Sequence, residues 1–143
     1  MRLMLCTLAL AASALAQPSL AGDKLVPQTA KGALESHRGK PWTEPLFTCG
    51  GFHTYNLRRL KGAGDTAGAW DAAGKAVDMK TAGIALLVKD RGMTPDAATA
   101  MATKRIEGYA FAVEAEDYGT TDFFPGWNKA CDEIWAGWKQ FGG

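Results

Sequence analysis

An all-α fold, an up-down-up-down four-helix bundle, is what this chain predicts, and three observations predict it. Apolar residues recur at helical rather than alternating spacing from about residue 46 to the C-terminus. Helix-start and helix-stop residues divide that stretch into four segments joined by a few residues each, which favours antiparallel neighbours. Alternating β-branched runs and Asn-Gly hairpin signals are missing, as are internal repeats and low-complexity tracts.

The chain opens MRLMLCTLALAASALAQPSLAG. Arg2 precedes an apolar run from Leu3 to about Leu15. Ala14-Leu15-Ala16 and Ser19-Leu20-Ala21 both fit the small-x-small cleavage pattern of a secretory signal peptide. The run is shorter than the roughly 20 apolar residues of a membrane-spanning helix. Residues 1–21 therefore read as a signal peptide, cleaved after Ala16 or Ala21, and the mature protein as exported without a membrane anchor. Its Ala- and Gly-heavy composition suggests a bacterial source and hence the periplasm. Cys6 follows Met4 and Leu5 rather than small residues, so it does not resemble a lipidation site.

Cleavage removes Arg2, the one charged residue of that segment, and takes the formal net charge from +1 to zero. A balanced surface gives no electrostatic reason to expect nucleic acid or anionic lipid as a partner. Cleavage also leaves Cys49 and Cys131 as the remaining cysteines. In an oxidising compartment, two cysteines most simply form one disulfide.

Residues 22–45 read as an extended, poorly structured lead-in. Pro27, Gly32, Gly39, Pro41 and Pro45 interrupt it, with one short helical turn around Ala30 to Ser36. His37, beside Arg38 and Lys40, is expected in solvent. A single helical domain then spans 46–143. Thr43-Glu44-Pro45 opens the first helix, with proline in the first turn where its missing donor costs nothing. Leu46, Cys49, His53, Leu57 and Leu60 fall on one stripe before Lys61-Gly62-Ala63-Gly64 ends it. Asp65 or Thr66 caps the second helix, whose inward stripe reads Trp70, Ala73, Val77, Thr81, Ile84, Leu87 and Val88. Arg91-Gly92 stops it. Thr94-Pro95-Asp96 is an N-cap, a proline at the first helical position and an acid in the first turn. The third helix turns Ala98, Ala102, Ile106, Tyr109 and Val113 inward. The fourth starts in Thr121-Asp122-Phe123-Phe124-Pro125 and carries Trp127, Cys131, Ile134, Trp135 and Trp138 on its apolar face.

Interior glycines, among them Gly50, Gly51, Gly74, Gly83 and Gly108, each cost roughly 1 kcal/mol relative to alanine in a helix. Either they admit close helix contacts or line a cavity, or they reflect a GC-rich genome. Five tryptophans offset that loss. Three of them crowd the last helix and make it the expected centre of the core.

The stretch CGGFH, Cys49 to His53, places two metal-ligand types four residues apart on one helical face. A structural zinc site needs four ligands, and no other cysteine or histidine has a matching spacing. The C-x-x-C-H signature of covalent haem attachment is missing. Non-covalent haem between helices would use His53 with a methionine, and Met79 and Met101 both fall off the inner stripes. No nucleophile elbow, phosphate-binding loop, dinucleotide fingerprint or zinc-protease helix occurs. Glu114, Glu116, Asp117 and Asp122 form an acidic patch beside Tyr118, near enough in the bundle to meet Arg58, Arg59 and Lys61. Such a cluster is usually a solvated surface, and a cation or partner contact is its functional alternative.

The sequence thus predicts a small exported helical binding or interaction module of the bacterial envelope. No catalysis and no cofactor are expected, and its partner is an envelope protein or a small molecule. The alternative is a haem or metal binder using His53, and a distant third is a hydrolase or lyase with its acids at Glu114 to Asp122. Cys49 and Cys131 are expected to be bonded. His53 is expected to be a buried, neutral core histidine with hydrogen-bond partners among Thr81, Tyr109 and a tryptophan of the last helix.

Overall fold

Helix α1, Thr43–Gly62, is apolar on almost every side of its first half, and a helix of that kind has to be enclosed. Leu46, Phe47, Cys49, Phe52 and His53 are all fully buried. In this computed structural model, which describes residues 22–142, α1 is the shared neighbour of every other helix except the terminal turn. Around it lie a 3-10 helix at Gly32–His37, α2 at Thr66–Arg91, α3 at Pro95–Glu116 and α4 at Phe123–Gly137, which runs into a π-helical turn at Trp138–Gly142. The protein is all-helical among the described residues, apart from one isolated bridge between Leu25 and Pro41. The expected signal peptide, its two expected cleavage positions and Cys6 lie outside the described residues.

Local chemistry places the helix ends where their residues dictate. Asp65 accepts from the Gly68 N–H at 2.9 Å and caps α2, and Gly92 ends that helix in the left-handed conformation at φ 64°. Thr94 caps α3 by accepting from the Ala97 N–H at 3.3 Å. These satisfy backbone groups that a helix terminus otherwise leaves without partners.

Three expectations need correction. Residues 22–42 are not a loose lead-in. The Val26 N–H donates to Lys40, the Trp42 N–H to Lys24, and the Ala33 N–H to the Glu133 carboxylate of α4. Asp23 takes a two-pronged contact from Arg91 at 2.8 and 2.9 Å, and Asp90 accepts from the Lys24 N–H. Val26, Ala30, Leu34 and Trp42 enter the core. The prolines and glycines shape turns within a packed segment, and its apolar residues supply the energy that orders it.

The inward face of α2 is also rotated from the expected stripe. Ala69, Ala72, Met79, Gly83, Leu86 and Leu87 are buried, whereas Trp70, Val77 and Thr81 face solvent. At Gly83 α1 comes too close for any side chain. A Cβ on Gly83 would collide with the Phe47 ring. Finally, the tryptophans of α4 are half-buried, and α1 rather than α4 is the centre. The fully buried tryptophan is Trp42, which meets Trp138 edge-on at 5.5 Å between centroids.

Candidate functional site

Cys49 and Cys131 form a disulfide that ties α1 to α4 across 5.5 Å between Cα atoms. Both are fully buried. Bonded sulfur is no longer a thiolate, so Cys49 does not act with His53 as a ligand pair or a nucleophile-base pair.

His53 is 1% exposed, and neither Nδ1 nor Nε2 has a hydrogen-bond partner among the described residues. It borders a small, partly open cavity of about 30 Å³ with Lys75, Asp78, Met79, Asp132 and Trp135. That is room for one or two water molecules and far less than a porphyrin fills. The imidazole pKa is lowered to about 4, first by desolvation and then by the Lys75 charge, with Asp132 and Asp71 partly opposing them. Lys75 sits 3.4 Å from Asp132 and 3.5 Å from Asp71, an ion-pair bridge from α2 to α4 beside the cavity.

The histidine is therefore buried and neutral, but Thr81 is not its partner because the rotation of α2 turns that residue outward. Tyr109 instead packs its backbone and Cβ against Gly51. Met79, placed off the inner stripes by sequence, is buried and lies at the His53 cavity. No three His, Cys, Asp or Glu side chains are grouped to share a metal ion among the described residues.

The acidic residues do not act as one group. The Tyr55 hydroxyl donates to Asp117 at 2.7 Å, and the Gly119 N–H donates to the other oxygen at 2.9 Å. The Tyr55 contact holds the Asp117 carboxyl below its ordinary range and raises the phenol to about 12. Glu114, Glu116 and Asp122 remain exposed. Of the expected basic partners, Arg59 contributes its charge to lowering the Asp117 pKa, while the direct contacts of Arg58 and Arg59 are made elsewhere. Arg58 forks onto Glu107 with both contacts at 2.7 Å. Arg59 donates to Asn56 and lies 3.8 Å over the Phe124 ring. His37 is also not free in solvent, since its Nδ1 lies 3.6 Å from Glu44 and burial lowers its pKa.

A different place has the shape of a binding site. The rotation that puts Ala69 and Ala72 against α1 leaves Trp70 75% exposed at the start of α2. Beside its ring runs a groove of about 390 Å³, lined by Leu57 and Lys61 of α1, Gly64 of the turn, and Ala69, Trp70 and Ala73 of α2. Its volume falls in the range of small-molecule sites, and its walls are almost wholly apolar. Thr66 adds a hydroxyl at one end. Sequence pattern hides this groove because Trp70 fits an inward stripe at helical spacing. The competing stripe of alanines, Ala69, Ala72 and Ala76, is the signal that would have placed Trp70 outside. No family model matches the chain, and no curated protein or solved structure matches it either.

Proposed function

We propose that the protein is a small exported binding module whose site is the groove between the end of α1 and the start of α2. The exposed indole of Trp70 beside an apolar groove carries this reading. A large aromatic left in water at the edge of a concavity costs hydrophobic free energy that an apolar ligand would recover. The scaffold suits that role. The disulfide and the ordered residues 22–42 hold α2 and α4 around α1. The antiparallel run of α1 and α4 that an up-down-up-down order requires is supported by the meetings of Trp138 with Trp42, Cys131 with Cys49 and Trp127 with Phe52. Export to the periplasm is supported by the signal-like first 21 residues and by the disulfide. No helix among the described residues is long and apolar enough to cross a membrane.

The test uses a neutral fluorescent probe, N-phenyl-1-naphthylamine, whose emission rises in apolar surroundings. One saturable site is expected, lost in Ala73→Gln, which places a longer polar side chain in the groove. Absence of binding, or binding unchanged by Ala73→Gln and by Trp70→Ser, contradicts the reading.

A further inference from the structure

The chemistry of the groove restricts what can occupy it. Its apolar surface is supplied by Leu57, Ala69, Trp70 and Ala73, and its one ionic side chain is Lys61. The ion pairs among the described residues engage Arg38, Lys40, Arg58, Lys75 and Arg91 but leave Lys61 out. The nearest acid in sequence, Asp65, is turned to the Gly68 N–H at the start of α2 and does not line the groove. An ammonium beside an apolar wall, with no carboxylate of its own, complements a ligand that is apolar along its body and negative at one end.

We infer that the groove binds a small monoanionic amphiphile, a medium-chain carboxylate. Its apolar body lies against Trp70, Ala69, Ala73 and Leu57, and its carboxylate meets the Lys61 ammonium. The inference rests on the groove being the binding site and adds the ligand class. A cationic amphiphile is disfavoured by like charge at Lys61, and a neutral one lacks the charge-assisted contact. The positive end of the α2 dipole, at Thr66 on the rim, has the same sign as Lys61.

The experiment titrates the mature, oxidised protein with decanoate, decanol and decyltrimethylammonium below their aggregation concentrations. Trp70 is the one tryptophan classed as exposed, so the readout is a blue shift of tryptophan emission that Trp70→Phe removes. Decanoate is expected to bind at one site, with decanol weaker by about fivefold, the size of one partly exposed ionic contact. Lys61→Gln is expected to weaken decanoate to the level of decanol and leave decanol unchanged. Raising the salt concentration is expected to weaken decanoate alone. Equal binding of decanoate and decanol, unaffected by Lys61→Gln, overturns the anionic ligand class while leaving the groove in place. Binding of none of the three overturns the groove as well. Circular dichroism of both variants confirms that each is folded, because both changed side chains face solvent.

Discussion

Gly51 of α1 lies directly against Ala110 of α3. A Cβ built on the glycine would stand 2.7 Å from the Ala110 amide nitrogen and 2.8 Å from the Tyr109 carbonyl carbon. Both of those atoms are backbone, so neither can move aside without shifting a helix. Gly74 of α2 is the opposite case, exposed and with nothing within 4 Å of its added Cβ. Gly51→Ala is expected to destabilise by about 2 kcal/mol, since overpacking outweighs the gain in helix propensity. Gly74→Ala is expected to stabilise by about 0.5–1 kcal/mol. Urea unfolding midpoints at constant slope measure both, and equal signs for the two variants would contradict this account of the glycines.

His53 should give the folded state an acid-side weakness. Its folded pKa is lowered to about 4 by burial, below the unfolded value of about 6.5. Above pH 6.5 neither state holds the proton, and this group contributes nothing to the pH dependence. As the pH falls from 6.5 toward 4, the unfolded chain binds the proton first and stability declines, by about 3 kcal/mol when complete. Below about 4 this contribution levels off. His53→Leu is similar in volume and removes two buried nitrogens without partners. It is expected to flatten the decline and to match or exceed the parent stability at pH 7.5. A ring that titrates near 6.5 by NMR in the folded protein would contradict the burial argument.

Helix boundaries were legible because caps are local: Asp65, Gly92, Thr94 and Pro95 act on backbone groups within a turn of themselves. The disulfide was legible because the expected compartment and the cysteine count left Cys49 one partner. Burial and neutrality of His53 also followed from its apolar stripe. What pattern could not supply was the rotation of α2. Two stripes compete there, one through Trp70, Val77 and Thr81 and one through Ala69, Ala72, Met79 and Gly83, and interhelical distance decides between them. That distance depends on Gly83 against Phe47 and on Gly50 against Met79, whose role becomes visible only once the helices are placed. The groove at Trp70 is a direct consequence of that rotation. The order of residues 22–42 was hidden for a related reason, since its contacts reach to Asp90, Arg91 and Glu133.

The Cys49–Cys131 bond closes a segment 82 residues along the chain. In the chain-entropy account a loop of that size stabilises by about 4–5 kcal/mol, an upper figure because the denatured chain retains some structure. Reduced protein, or the Cys49→Ala/Cys131→Ala double variant, is expected to unfold at markedly lower urea. A midpoint unchanged by reduction would show that the bond adds nothing to stability.

Tyr55 and Asp117 form a second measurable pair. The phenol is raised to about 12, first because its hydroxyl donates to Asp117 and then because of desolvation. Removing the charge with Asp117→Asn is expected to bring that titration down toward the ordinary value of about 10. Ultraviolet difference titration of the parent against the variant reads it. An unshifted Tyr55 curve in the variant would show that the contact does not persist in solution.

The claim that the groove beside Trp70 is the place of binding is tested most directly by amide and indole shifts in a decanoate titration of ¹⁵N-labelled protein comprising residues 22–143. The account predicts saturable changes at Lys61, Thr66, Ala69 and the Trp70 indole N–H, with His53 and Asp117 unmoved. Changes centred on His53, Lys75 and Asp132, or on the acidic stretch from Glu114 to Asp122, would contradict it.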